Sequence, residues 1–158
     1  MTQKGSLVGQ WAPGAERVKQ LIGTGDLQKV QGAEANGQPL LAKAARTLAS
    51  ANALLEVDPD SSYSLAYDAA RFACTALLAQ QGLRPTTSGG HYAVEQVVRA
   101  QFQTHFQSYG TLRRRRHELE YPTAPDGGTA PEEAAEACGA AQAILEAADK
   151  LLPHLGFF

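Results

Sequence analysis

The chain has little of what typifies secreted, membrane and metal-binding proteins. Its 158 residues include only two cysteines, Cys74 and Cys138, each in an alanine-rich stretch. This usage predicts small buried thiols rather than a disulfide framework or a metal site. There is no long apolar run, at the N-terminus or elsewhere, so neither a signal peptide nor a transmembrane span is predicted. We therefore expect a cytoplasmic protein without a metal or cofactor.

An excess of basic charge is also lacking. The chain carries 14 Lys and Arg against 16 Asp and Glu, a formal charge of -2, which argues against a globally basic nucleic-acid binder. The glycine-containing segments 23–25 and 126–128 have no Lys-Ser/Thr pair after them, so they do not form a phosphate-binding loop of that type. Any site for an anion must therefore be local.

Alternation of apolar and polar residues, the signature of strands, is not found, whereas helical spacing recurs along the chain. Asp58, Pro59 and Gly82 are the preferred residues for the start and the stop of one long helix. The stretches with helical spacing are 38–57, 59–81, 91–107, 108–121 and 131–153. We predict an all-α helical bundle with four to five main helices and one short N-terminal helix.

The pattern divides the chain into three parts. Residues 1–15 are polar and contain glycine, which predicts a mobile N-terminal arm. Residues 16–37 hold a short helix and a glycine-rich connection that crosses the bundle. Residues 38–155 form the bundle domain.

The most unusual stretch is "TLRRRRHELEYP", residues 111–122. Because helical residues advance by about 100°, four consecutive arginines sweep about 300° and cannot share one solvent-facing side. Tyr109, Leu112 and Leu119 define an apolar seam on which position 116 also falls. We therefore expect Arg116 to be largely buried and paired with an acid. The candidate acids are Asp68, Glu95 and Glu120.

A second pair of opposite charges, Asp68 and Arg71, lies three residues apart beside the apolar stripe of the second long helix. A surface ion pair of this kind contributes a few tenths of a kcal/mol. The same two side chains would equally suit a polar cleft, and the pattern does not separate the two interpretations.

Three stretches together resemble one family of helical domains. They read "SLAYDAARFACTALLAQQGLR", "GGHYAVEQVV" and "RRRRHELEYP", and their order is similar to that of a bacterial branch of the HEPN superfamily with an Arg-polar-x-x-Glu-Tyr motif. The likeness covers about residues 40–155. It implies a helical bundle that dimerises with its motifs face to face in a cleft. It also implies a ribonuclease or RNA-binding role in toxin–antitoxin or defence systems, in some cases beside a nucleotidyltransferase partner.

The resemblance assigns roles to residues of the arginine run. Arg116, His117 and Tyr121 match the motif and are the candidate catalytic residues. The expected ligand-binding residues are Arg113, Arg114, Asp68, Arg71 and Glu120. The family signature, however, is an arginine and a histidine separated by four to six residues, and the residue separated from Arg116 by four residues is Tyr121. The spacing does occur from Arg84 to His91 and from Arg99 to His105, but neither pair lies where the family has its motif, and we expect His91 to cap or pack a helix start.

Three interpretations follow. The protein binds RNA or a nucleotide in a dimer cleft, with weak or no ribonuclease activity, or it is a catalytically inactive HEPN-type dimerisation module. The third is an unrelated bundle with a basic patch. The local positive charge favours an anionic ligand, whereas the missing motif histidine favours the inactive module.

Overall fold

The computed structural model describes residues 8–158. Its helices are α1 (Ala15–Gly23), α2 (Gln38–Ala53), α3 (Pro59–Gln80), α4 (Gly90–Phe102), α5 (Gln107–Glu120) and α6 (Pro131–Leu151). Short 3-10 turns occur at Gly32–Glu34, Gln103–Phe106 and Leu152–His154. The prediction of an all-α bundle with four to five main helices and a short N-terminal helix is confirmed, and the described residues contain five main helices.

The central helix α3 begins and ends where the sequence predicts. The Asp58 carboxylate accepts a hydrogen bond from the backbone N–H of Ser61 at 3.2 Å, and Pro59 occupies the first helical position. Gly82, just past the helix, has φ +71°, a conformation that glycine adopts without steric cost. The helix is buried along most of its length against α2 and α6 on one side and α4 and α5 on the other.

The expectation that no strand occurs is wrong at one point. β1 (Leu27–Lys29) pairs antiparallel with β2 (Leu83–Pro85), and Leu27 lies opposite Pro85. Each strand has three residues, too few to produce a visible alternation, and burial of Leu27 and Leu83 holds the pair on the bundle. The glycine-rich connection is therefore a segment with hydrogen-bonded structure of its own.

The first seven residues of the predicted mobile arm lie outside the described residues. Further along the same arm, Trp11 packs on the ring of Phe102, with ring centroids 5.4 Å apart. Its indole N–H donates to the Gln101 carbonyl oxygen at 3.0 Å. Gln10 forms a parallel bridge with Gly156, so this stretch joins the two ends of the described chain.

The helices between residues 8 and 158 include none that combines the length and the apolar character needed to cross a membrane. The longest, α3 and α6, are rich in alanine and are buried within the bundle along one face.

Close packing of α2 on α3 yields a stability prediction. A Cβ at Gly37 would overlap the backbone carbonyl of Ala76, which cannot move aside, whereas a Cβ at Gly139 would meet nothing within 4 Å. Gly37→Ala should lower the free energy of unfolding by about 1–3 kcal/mol. The matched control Gly139→Ala, in the interior of α6, should raise it by about 0.5–1 kcal/mol. Thermal unfolding of both variants measures the difference, and equal melting temperatures would contradict the packing described.

Candidate functional site

Three helices, α3, α4 and α5, contribute side chains to a polar group around Tyr67, which is fully buried in the middle of α3. Its hydroxyl lies 2.8 Å from Nδ1 of His91 at the start of α4, and 3.4 Å from the hydroxyl of Tyr109 in α5. The Tyr67 and Tyr109 rings stack with centroids 5.6 Å apart. We call the polar group around this tyrosine the Tyr67 cluster. Its members are Tyr67, Asp68, Arg71, His91, Tyr109, Arg113 and Arg116.

Helical spacing brings these residues to one place. Tyr67 and Arg71 are one turn apart on α3, and Tyr109, Arg113 and Arg116 follow one another at spacings of four and three on α5, so each set shares one helix face. His91 reaches Tyr67 because the turn before α4 is held in place, and this turn sets where the helix begins. The hydroxyl oxygen of Thr86 accepts a hydrogen bond from the backbone N–H of Gly89 at 3.1 Å, and this bond holds the turn that precedes α4.

The crossing of α4 and α5 contains a buried carboxylate. The Glu95 side chain is 4% exposed and accepts a hydrogen bond from Nε of Arg113 at 2.5 Å, while Nη1 of Arg99 lies at 3.5 Å. Gly110 allows this approach, because a Cβ there would lie 2.7 Å from Oε2 of Glu95. A carboxylate removed from water must be paired, so Glu95 fixes the position of Arg113.

The prediction that Arg116 is largely buried is wrong. Its side chain is 28% exposed, and Nη1 donates to the Glu120 carboxylate at 2.5 Å. Pairing with Glu120, one of the three expected acids, is confirmed. The Arg116 side chain also points in the predicted direction, toward α3, because its guanidinium carbon lies 5.8 Å from the centre of the Tyr67 ring. Position 116 faces the edge of α3 and not the core. The buried acid of the site, Glu95, is bonded to Arg113 instead.

The other two arginines of the run point elsewhere. Arg115 bridges α5 to α6 through hydrogen bonds of 2.7 and 3.3 Å to Glu133, and it also bonds Glu118 at 3.1 Å. Arg114 is exposed, and its hydrogen bond to the Thr111 hydroxyl is long, at 3.4 Å. The run therefore divides into two arginines of the Tyr67 cluster, one that links helices and one on the surface.

His117 and Tyr121 do not join the cluster. Both are exposed, and their rings contact each other with centroids 4.9 Å apart. Of the three residues predicted to be catalytic, only Arg116 lies beside Tyr67. The proton-transfer roles predicted for His117 and Tyr121 stay predictions on a neighbouring surface.

Arg71 is the least satisfied cation of the cluster. Nη2 lies 3.7 Å from the carboxylate of Asp68, and the guanidinium stands over the Phe72 ring at 4.6 Å. Its Nε is buried and has no hydrogen-bond partner among residues 8–158. Asp68 and Arg71 thus lie within ion-pair distance, a contact that leaves one strong donor unused and does not exclude a polar cleft.

The electrostatics at His91 are net positive. Burial lowers the pKa of His91 below its ordinary value, and the nearby charges of Arg71 and Arg116 lower it further, whereas Asp68 opposes them. Burial likewise raises the pKa of Tyr67 and holds that of Tyr109 well above its ordinary value. Near neutral pH both tyrosines are therefore neutral hydrogen-bonding groups.

An open recess lies beside Arg116, between the first turns of α3 and the end of α5. Its volume is about 580 Å³. The residues that line it are Leu54, Asp60, Ser61, Ser64, Leu65, Arg116, Leu119 and Glu120. Ser61, Ser64, Asp68 and Arg71 follow one face of α3 at spacings of three and four, so the recess leads along that face toward the cluster.

Sequence reasoning missed the two residues at the centre of the cluster, Tyr67 and His91. Tyr67 is one turn before Arg71 in "AYDAAR", a signal that could have placed it beside the charged pair. His91 follows Gly89 and Gly90 at a helix start, which suggested a capping or packing role. Its contact is instead with a side chain 24 residues earlier in the chain.

Comparison with known families agrees with this architecture. The family model of the HEPN domain matches residues 38–151, from the start of α2 to the end of α6. The chain therefore belongs to the HEPN domain family, whose fold is helical and whose members are typically related to RNA or nucleotides. Searches of curated proteins and of solved structures found no significant match.

The two cluster arginines from the run should differ in their effect on stability. Arg113→Ala leaves the buried Glu95 carboxylate with only Arg99, whose side chain is 63% exposed, and should cost about 1–3 kcal/mol. Arg116→Ala breaks a pair of which both partners are accessible to water and should cost less than about 1 kcal/mol. Urea unfolding at one pH measures both, and the reverse order would show that Glu95 does not depend on Arg113.

A pH prediction follows from His91. Because its pKa in the folded chain is lower than in the unfolded chain, the unfolded state takes up a proton first as the pH falls. The stabilisation that neutral His91 contributes is therefore complete above about pH 6.5 and is lost as the pH falls through the lower folded value. His91→Gln removes this contribution, so the wild-type protein should lose more stability than the variant on acidification. Parallel curves of unfolding free energy against pH would contradict the shift.

Proposed function

We propose that this HEPN domain binds RNA or a nucleotide through phosphate contacts at the Tyr67 cluster, in the cleft of a homodimer. The observation that carries the proposal is the convergence of Arg71, Arg113 and Arg116 with His91 around one buried tyrosine. The three guanidinium ions and the N-terminal turn of α4 together attract an anionic group.

The arginines keep donors free for a ligand although each has an acidic partner. A guanidinium has five N–H donors. Nε of Arg71 makes no bond to any described residue, and Arg116 uses one nitrogen on Glu120. The Nε of Arg71 is buried and lacks a partner at a cost. A phosphate oxygen would reach it only after the Arg71 side chain rotates, and that contact would remove the cost. The acids thus orient the arginines without using up their capacity to bind.

The recess beside Arg116 supports the proposal, because a nucleotide needs room next to its phosphate contact. The hydroxyls of Ser61 and Ser64 are the neutral polar groups there, suited to sugar or base. Asp60 and Glu120 on the same wall would repel a second phosphate placed deep in the recess. The expected arrangement has phosphate at the cluster and the uncharged parts of the nucleotide toward the serines.

The homodimer forms the second part of the proposal. HEPN domains commonly dimerise, and α3 and α5 are the helices that we expect at the interface, because their exposed edges carry the cluster. A face-to-face pair would double the number of arginines along one strand of RNA. A nucleotidyltransferase as a further partner, and a role in toxin–antitoxin or defence systems, follow from the resemblance alone.

We expect cleavage of RNA to be slow or absent, because the motif has Tyr121 where the family signature has histidine. The alternative function is that of a catalytically inactive dimerisation module, in which the arginines and acids form a structural network only. The acidic partners that the arginines already have favour this second candidate.

Binding of a fluorescein-labelled octauridylate, measured by anisotropy, separates the two. The wild-type protein should bind it with an affinity that falls as salt rises. Arg71→Ala and Arg116→Ala should each weaken binding about tenfold, since a charge-assisted hydrogen bond contributes about 1.5–3 kcal/mol. The control Arg46→Ala, on the exposed face of α2, should bind as the wild type does.

Two results would contradict the proposal. One is an equal loss of affinity in all three arginine variants, which would indicate nonspecific attraction. The other is a dimer in sedimentation that binds no octauridylate at low salt, which is what the inactive module predicts. Gel analysis of the same RNA after incubation without metal tests cleavage, and rapid cutting that needs His117 or Tyr121 would overturn the expectation of weak activity.

A further inference from the structure

The side chain of His91 does not cap the helix that it begins. Its Nδ1 is bonded to the Tyr67 hydroxyl at 2.8 Å, and its ring is tilted by 47° on the Tyr67 ring with centroids 5.6 Å apart. The residue is nevertheless exposed, and Nε2 has no hydrogen-bond partner among residues 8–158. One ring nitrogen is thus bonded within the protein, and the other has no partner among the described residues.

We propose that His91 is a ligand-contacting residue of the Tyr67 cluster, held by Tyr67 so that its Nε2 donates a hydrogen bond to a phosphate oxygen, and that phosphate binding is therefore coupled to protonation of His91. This inference rests on the proposed function, and it assigns to His91 the pH dependence of phosphate binding.

The tyrosine can orient the ring in both protonation states. With neutral His91, the Tyr67 hydroxyl donates to Nδ1, and Nε2 carries the single ring proton. With protonated His91, Nδ1 donates to the Tyr67 oxygen, whose own proton turns to the Tyr109 hydroxyl 3.4 Å away. In both states Nε2 carries a proton that the described residues leave unbonded, but only the protonated ring adds a positive charge to that donor.

The surroundings explain why protonation depends on the ligand. The charged and titratable groups around the ring are Tyr67, Asp68 and Arg71 on α3, and Tyr109, Arg113 and Arg116 on α5. On α4 itself, Glu95 is one turn away and is bonded to Arg113. Without ligand, burial and the arginines disfavour imidazolium, since only Asp68 offsets them. A bound phosphate would supply the missing negative charge, so each should favour the other.

The test is the affinity for labelled octauridylate from about pH 5 to pH 8, a range in which histidine titrates and the phosphodiesters keep their charge. If contact raises the pKa of His91 by one unit, the dissociation constant of the wild type should be about tenfold lower at the acidic end. His91→Gln, neutral at every pH and able to bond Tyr67, should keep the weaker affinity throughout. His91→Lys, charged at every pH, should bind with the acidic-end affinity throughout.

Two controls make the result specific. His154→Gln, exposed in the turn that follows α6, should keep the wild-type pH profile. Tyr67→Phe preserves the ring but removes the hydroxyl, so it should reduce the pH dependence while the arginine contacts persist. NMR titration of the His91 ring protons, with and without octauridylate, should show a higher pKa in the complex.

The outcomes separate the inference from the proposed function. Salt-sensitive binding whose pH profile is the same in His91→Gln as in the wild type would overturn the role of His91 and leave phosphate binding at the arginines intact. An unchanged pKa of His91 in the complex would overturn it equally. Absence of octauridylate binding at every pH would overturn both.

Discussion

The pairing requirement of one buried carboxylate organises this molecule. Glu95 lies at the crossing of α4 and α5 almost without contact with water, and a charge in that position is tolerated only with a close counter-ion. Arg113 meets the requirement. Together with the buried Tyr109 and Leu112, its bond sets which face of α5 is turned inward, and that choice determines where the rest of the arginine run points.

Once α5 is fixed in this way, the four arginines have different environments. Arg113 faces the buried acid, Arg115 bonds to α6, Arg114 is at the surface, and Arg116 reaches the edge of α3 over Tyr67. A run that looks uniform in the sequence therefore performs separate tasks. Helical rotation requires that division, and the partners on neighbouring helices decide which arginine takes which task.

The sequence predicted what depends on local chemistry and missed what depends on distance in the chain. The start of α3 was predictable, because Asp58 and Pro59 act on the backbone next to them. The direction of Arg116 was also predictable from helix geometry, but its depth was not, since depth depends on how far the α3 surface extends. The three-residue strands left no periodic signal, and they exist because buried leucines bring the two segments together.

The candidate site shows the same limit. The arginines and their acidic neighbours were found from charge and spacing, whereas His91 was assigned to a helix start because nothing near it in the chain suggests Tyr67. Only the packing of α3, α4 and α5 brings the two rings together. A histidine that comes from another helix is a feature that residue spacing within one stretch of sequence does not detect.

The central claim is that the Tyr67 cluster, with its unpaired arginine donor, binds a phosphate. NMR of arginine side chains tests it most directly, by following the Nε–H resonance of Arg71 during titration with octauridylate at low salt. If the cluster binds phosphate there, this resonance shifts in a saturable way, while that of Arg46, on the exposed face of α2, stays in place. Saturable binding that leaves the Arg71 resonance unmoved would contradict it.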